Sequence, residues 1–224
     1  MSVTTDEDTA ATTARPRRRQ ARGERRIQQL LGAAAEVFCR SGYTAASTNA
    51  IAREAGVSPG TLYQYFPNKE AIAIELGERL FHQMRETHGQ VLTVEKAALP
   101  LDEMLDAALD PMIAFNCQNP AFLALIHSSD VPGKFVEEHD ALHASLLTRV
   151  EELLAAYHPD LDADQRTRTA TMTFALFKAG LELVLSHEGA ERQAYITELK
   201  ASLYRYLAPV IGTEGRALPS RNTP

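Results

Sequence analysis

An all-α fold is predicted, with an N-terminal three-helix domain built around a helix-turn-helix and a larger C-terminal helical domain. Three observations carry the prediction. Apolar residues recur at helical spacing, as in Ile27, Leu30, Leu31, Ala34, Val37 and Phe38. Turn signals at Asn119-Pro120, Val131-Pro132-Gly133 and His158-Pro159-Asp160 separate long segments of that kind. No strand-type alternation survives between those signals. The 224 residues, 45% of them hydrophobic, leave room for one large domain or two modest ones.

In chain order, residues 1–19 read as a disordered basic arm, 20–70 as the helix-turn-helix domain, 71–211 as the larger helical domain and 212–224 as a disordered tail. The first helix is expected over 24–40. A hydroxyl of Ser47 or Thr48 caps the next one, IAREAG, whose inner face is Ile51, Ala52 and Ala55, and Gly56 ends it as a left-handed residue. Val57 fills the angle between the helices. Ser58 caps the third helix and Pro59 fits its first position, where a missing N–H costs nothing. Leu62 and Phe66, four apart, face inward. Pro67 stops that helix, and Asn68 caps a long one continuing through Leu76, Leu80, Phe81 and Met84. Residues 90–100 read as a weak or loop segment. Further helices are expected at 101–118, 120–129, 134–157, 164–186 and 191–210.

The third helix leaves Thr61, Tyr63, Gln64 and Tyr65 facing outward or sideways. Two tyrosines and few charges make a poor solvent face. Their hydroxyls, with that of Thr61, suit phosphate oxygens, and Tyr63 can pack on a thymine methyl. Pro59 and Gly60 lack bulk, so the helix start, with its exposed N–H groups, can approach base edges. Charge is polarised in the same sense. Residues 15–70 hold 10 basic and 4 acidic side chains, and residues 71–224 hold 13 and 22, within a net charge of −6. Positive charge beside a helical reader suits duplex DNA.

These motifs resemble the TetR family of transcriptional regulators. The likeness covers about residues 24–75: Gln28 to Phe38 with Gly42-Tyr43, Ile51 to Ser58, and GTLYQYFPNKE from Gly60 to Glu70. It implies that Thr48 contacts phosphate and that Pro59, Gly60 and Tyr63 lie nearest base edges. Thr61, Tyr65 and Lys69 would contact phosphates, and Gln64 either a base or a phosphate. Ser58 completes the expected DNA-contacting set. The resemblance also implies a homodimer on a double-stranded DNA operator, with a small apolar or amphipathic effector in the C-terminal domain.

For that effector the sequence offers Phe81, Met84, Met104, Met112, Phe115, Phe122, Ile126, His127, Phe174 and Phe177. Methionine and phenylalanine at helical spacing build ordinary cores, and they also line cavities that tolerate varied ligand shapes. TATMTFALFKAGLELVL, residues 169–185, is apolar on more than one face and carries small Ala170, Ala175, Ala179 and Gly180. Paired with the last helix, it suits either a four-helix dimer interface or the centre of one subunit.

No cofactor is expected. His139 and His143, spaced i, i+4, lack a third metal ligand fixed by sequence. Walker-type loops, GxGxxG and a nucleophile elbow are absent, which argues against an enzyme. Cys39 and Cys117 read as reduced thiols, no apolar run approaches 18 residues, and the N-terminus lacks a signal core. A cytoplasmic protein without a membrane partner is therefore expected. The function expected is a ligand-responsive repressor released from a palindromic operator; the alternative is a helical ligand-binding or protein-interaction module that does not bind DNA.

Overall fold

The computed structural model describes residues 9–126 and 128–215, with side chains from residue 20 onward. Among these residues there are nine α-helices and no strand. They are α1 (Thr9–Ala45), α2 (Thr48–Glu54), α3 (Pro59–Tyr63), α4 (Lys69–Val91), α5 (Leu101–Gln118), α6 (Pro120–Ile126), α7 (Gly133–Tyr157), α8 (Ala163–Leu185) and α9 (Gly189–Ile211). A short 3-10 turn, Val94–Ala98, occupies the segment expected to be weak.

The chain forms two compact units, residues 1–77 with 123–133 and residues 78–122 with 134–224. The division falls inside α4, later than the residue 70 expected from sequence. The buried face of α4 runs on without a compositional break, so nothing in the sequence marks the point. Residues 123–133 join the first unit, where Thr44 Oγ1 donates to Asp130 Oδ2 at 2.7 Å.

In the first unit Leu30, Ala34 and Phe38 of α1 are fully buried, as are Ile51 of α2, Leu62 of α3 and Ile72 of α4. Each large apolar side chain so buried contributes roughly 1.5–3 kcal/mol. Helix α1 starts at Thr9, within the stretch 1–19 expected from sequence as a basic arm. Alanine and arginine are good helix formers, and the packed helix that follows supplies the nucleus a free arm lacks. Residues 1–8 lie outside the described residues. Toward its end α1 kinks at Gly42.

In the second unit α8 and α9 lie along each other, with Ala170, Val184 and Leu203 fully buried between them and α5. A Cβ at Gly180 would stand 2.4 Å from Leu199 Cδ1, so glycine lets the two helices close up. Lys200 of α9 bridges Asp106 and Asp110 of α5 at 2.8 and 2.6 Å. Ion pairs join Glu78 and Arg85 of α4 to Lys134 and Glu138 of α7. Pro111 does not break α5; it lies on the exposed face, while Met112 and Ile113 beside it are buried. Beyond α9, the Thr213 carbonyl accepts the Leu101 N–H at 2.9 Å, so the expected disorder from Gly212 does not hold for the first residues of the tail. Residues 216–224 lie outside the described residues.

Candidate nucleic-acid interface and apolar cavity

The turn between α2 and α3 is set by local hydrogen bonds. Ser47 Oγ caps α2 through the Ala50 N–H at 3.2 Å. Gly56, at φ +64°, ends it; the Val57 N–H reaches the Ala52 carbonyl at 2.9 Å and the Gly56 N–H reaches Arg53 at 3.1 Å. That bond pair is a Schellman ending, which a residue with a Cβ adopts at a cost. Ser58 Oγ then caps α3 through the Thr61 N–H at 3.1 Å, with Pro59 in the first turn. Asn68 Oδ1 caps α4 through the Ala71 N–H at 2.8 Å. Gln29 of α1 donates to the Ala55 carbonyl at 2.6 Å and pins the end of α2.

This frame exposes Ser58, Pro59, Gly60, Tyr63, Gln64 and Tyr65, while Leu62 and Phe66 are buried. Tyr63 is 51% exposed, unusual for so large an aromatic side chain. Several of the hydroxyls read from sequence as DNA contacts are joined to one another. Thr48 Oγ1 and Tyr63 OH are 2.9 Å apart, linking the start of α2 to α3, and Ser58 Oγ and Thr61 Oγ1 are 2.9 Å apart. Each hydroxyl keeps acceptor or donor capacity for a phosphate.

Lys69 is placed differently from a free phosphate contact. Its Nζ donates to the Tyr43 and Thr44 carbonyls at 2.9 and 3.0 Å and lies 4.5 Å from the Tyr43 ring centroid. The ammonium thus closes the carbonyl end of α1, and of its three donors two are used within the fold.

In the second unit, α5, α7, α8 and α9 enclose a cavity of about 60 Å³. Met104, Met112, Phe174 and Phe177, among the residues the sequence offered for an effector, line it. Leu92, Leu146, Val150, Leu153 and Leu207 also line it and carry no signal in the sequence, because leucine and valine at helical spacing look the same whether they pack or border space. Thr173 is the one polar residue on its wall.

Other expected lining residues are elsewhere. Phe81, Phe115 and Phe122 join Phe135 in an aromatic cluster. Phe81 lies 5.3 Å from Phe122 and 4.8 Å from Phe135, and Phe115 lies 6.0 Å from Phe122. They pack on one another in edge-on and tilted contacts and do not line this cavity. Met84 is buried away from the cavity, Ile126 belongs to the first unit, and His127 lies outside the described residues.

Near the cavity, His88 is 5% exposed on the face of α4 that also carries Met84. Burial, reinforced by the neighbouring Arg149 charge, pushes its pKa down to about 4. His139 and His143 stack 6.5 Å apart, and His143 meets the edge of Phe174 at 4.3 Å. Among the described residues no group of three or more His, Cys, Asp or Glu side chains is placed to hold a metal ion, and no helix is long and apolar enough to cross a membrane.

Comparison with known proteins adds to this geometry. Residues 30–76 match the family described as Bacterial regulatory proteins, tetR family, and residues 99–211 match Tetracyclin repressor-like, C-terminal domain. The Fatty acid metabolism regulator protein of Bacillus subtilis (strain 168) is 41% identical over 61 residues, which is 27% of this chain and 31% of that protein. The match thus spans about a third of that relative's length. A TetR-like transcriptional regulator from Rhodococcus sp. RHA1 superimposes with a TM-score of 0.66 at 22% identity, covering 82% of this chain and 96% of the other. FadR from Bacillus subtilis in complex with stearoyl-CoA gives a TM-score of 0.59 at 20% identity, covering 79% and 96%. At these identities the superpositions speak for the shared fold.

Proposed function

This chain belongs to the tetR family of bacterial regulatory proteins, and on that premise we propose a homodimeric repressor of transcription that a small apolar or amphipathic effector releases from a palindromic operator. The observation that carries the DNA reading is the α2–α3 unit: two serine-capped helices presenting exposed Tyr63 and Tyr65 from a helix whose start has no bulk. In each subunit α3 enters a major groove. Thr48, Ser58, Thr61 and Tyr65 serve phosphates, Lys69 has one donor left for a phosphate beside its two bonds within the fold, and Pro59, Gly60, Tyr63 and Gln64 lie toward the bases. The protein acts by binding, without turnover of its effector.

The apolar wall of the cavity supports the effector reading, as does the stearoyl-CoA held by the structurally similar FadR. A volume of about 60 Å³ is small for a ligand site. Known ligand sites run to roughly 300–1,000 Å³, so an effector enters only by moving the surrounding helices apart. Helix α4 carries residues of both units. DNA and effector then oppose each other by linkage.

The dimer reading is supported by α8. Met172 is 49% and Leu183 47% exposed, with exposed Ala175 and Ala179 between them on one stripe. Light scattering is expected to give twice the chain mass, and Leu183→Glu to shift it toward the single chain; an unchanged dimer would remove this stripe from the interface.

Selection of bound fragments from random duplex DNA tests the whole proposal. It should return inverted repeats with half-sites about one helical turn apart, roughly 10 base pairs or somewhat more. A chain that binds no duplex even at low salt would instead be the helical ligand-binding module.

A further inference from the structure

We propose that Arg149 and His88 anchor the anionic end of the effector, so that the effector is an apolar chain ending in a carboxylate or phosphate, not a neutral apolar molecule. The inference rests on the reading of the cavity as the effector site.

Position is the first observation. Leu92 lines the cavity, and His88 precedes it by four residues, one turn back toward the start of α4. On α7, Leu146, Val150 and Leu153 line the cavity at i−3, i+1 and i+4 from Arg149. The guanidinium crosses to α4: Arg149 Nη2 lies 3.8 Å from where a Cβ on Gly89 would stand. Both basic side chains therefore stand next to residues that line the cavity, without lining it themselves.

Their surroundings are the second observation. His88 is the only charge-capable residue on an α4 face otherwise made of Leu80, Phe81, Met84 and Val91, all buried. Among the described residues its ring makes no hydrogen bond, and Arg149 makes no ion pair. The field at His88 comes from Arg149, a like charge, with no carboxylate contributing. A half-buried guanidinium beside a buried neutral imidazole, with no acid between them, leaves donors that an anion can accept from. Arginine offers a planar fork that fits carboxylate or phosphate, and a neutral imidazole N–H adds one donor. The rest of the molecule then lies along the apolar wall.

The test titrates the full chain by calorimetry with dodecanoate, dodecyl phosphate and dodecanol, each below its aggregation concentration. The two anions should bind at least about tenfold more tightly than the alcohol. Arg149→Gln should abolish that preference while leaving dodecanol affinity unchanged, and Arg149→Lys should restore part of it. Whichever anion binds better identifies the head group. Equal affinity for all three ligands, or a uniform loss in Arg149→Gln, overturns the anchor but leaves the cavity as the effector site. Binding of none of them overturns both.

Discussion

Replacing the Tyr63 hydroxyl tests the reader at its most exposed point. Tyr63 is 51% exposed, so Tyr63→Phe or Tyr63→Ala should change fold stability by no more than about 0.5 kcal/mol. Any lost DNA affinity then comes from the interface itself. Removing the hydroxyl should cost about 1 kcal/mol of binding, near fivefold in Kd. Removing the ring as well should cost on the order of 1–3 kcal/mol and relax sequence preference. The 2.9 Å contact between Tyr63 OH and Thr48 Oγ1 adds a sharper expectation. If the two hydroxyls hold one phosphate together, Tyr63→Phe and Thr48→Val each break the same arrangement. The double variant should then lose at least about 0.5 kcal/mol less than the sum of the single losses. Fluorescence anisotropy on a selected operator, with melting curves on the same samples, measures every term. Strictly additive losses would separate Thr48 from Tyr63. Wild-type affinity and preference in Tyr63→Ala would end the assignment of α3 as the reading helix.

Lys69→Ala should lower stability by about 1–3 kcal/mol, because it leaves the Tyr43 and Thr44 carbonyls without their donor; an unchanged melting temperature with a flatter salt dependence of DNA binding would make Lys69 a phosphate contact alone. Ala108→Val places extra methyls on the cavity wall, so it should raise Tm by a few degrees, about 1 kcal/mol, while weakening binding of an apolar chain; tighter ligand binding would place the site elsewhere. His88 has its folded pKa lowered from 6.5 to about 4, so the unfolded chain binds the proton more tightly. Stability should therefore fall as pH drops from about 6.5 to 4, by up to roughly 3 kcal/mol from this group, and His88→Gln should flatten that part of a denaturation-versus-pH curve.

What could be read in the sequence was local. Caps at Ser47, Ser58 and Asn68, the left-handed Gly56 and the proline after α3 all act within a few residues, and the turn chemistry names them. Helix α5 falls at 101–118 as expected, because Pro100 and Asn119-Pro120 bound it. What escaped was decided across sequence distance. Lys69 finds its acceptors 25 and 26 residues away, and residues 123–133 are held by a bond from Thr44 to Asp130. Phenylalanine identity does not say whether a ring faces another ring or a space, so Phe81, Phe115 and Phe122 were grouped with Phe174 and Phe177. An arginine run reads as solvated chain in the sequence, whereas α1 begins at Thr9 and runs on into a packed helix.

The last helix is not where this fold stops. Leu101 is fully buried at the start of α5, and its amide has no partner in its own helix; the carbonyl that accepts it belongs to Thr213. Two residues later Gly215 lies so close to Ala98 that a methyl group there would stand 2.1 Å from the Ala98 oxygen. Trimming the protein at Ile211, which an inspection of helices alone would recommend, strips a buried donor of its acceptor. The minimal stable fragment extends at least through Gly215.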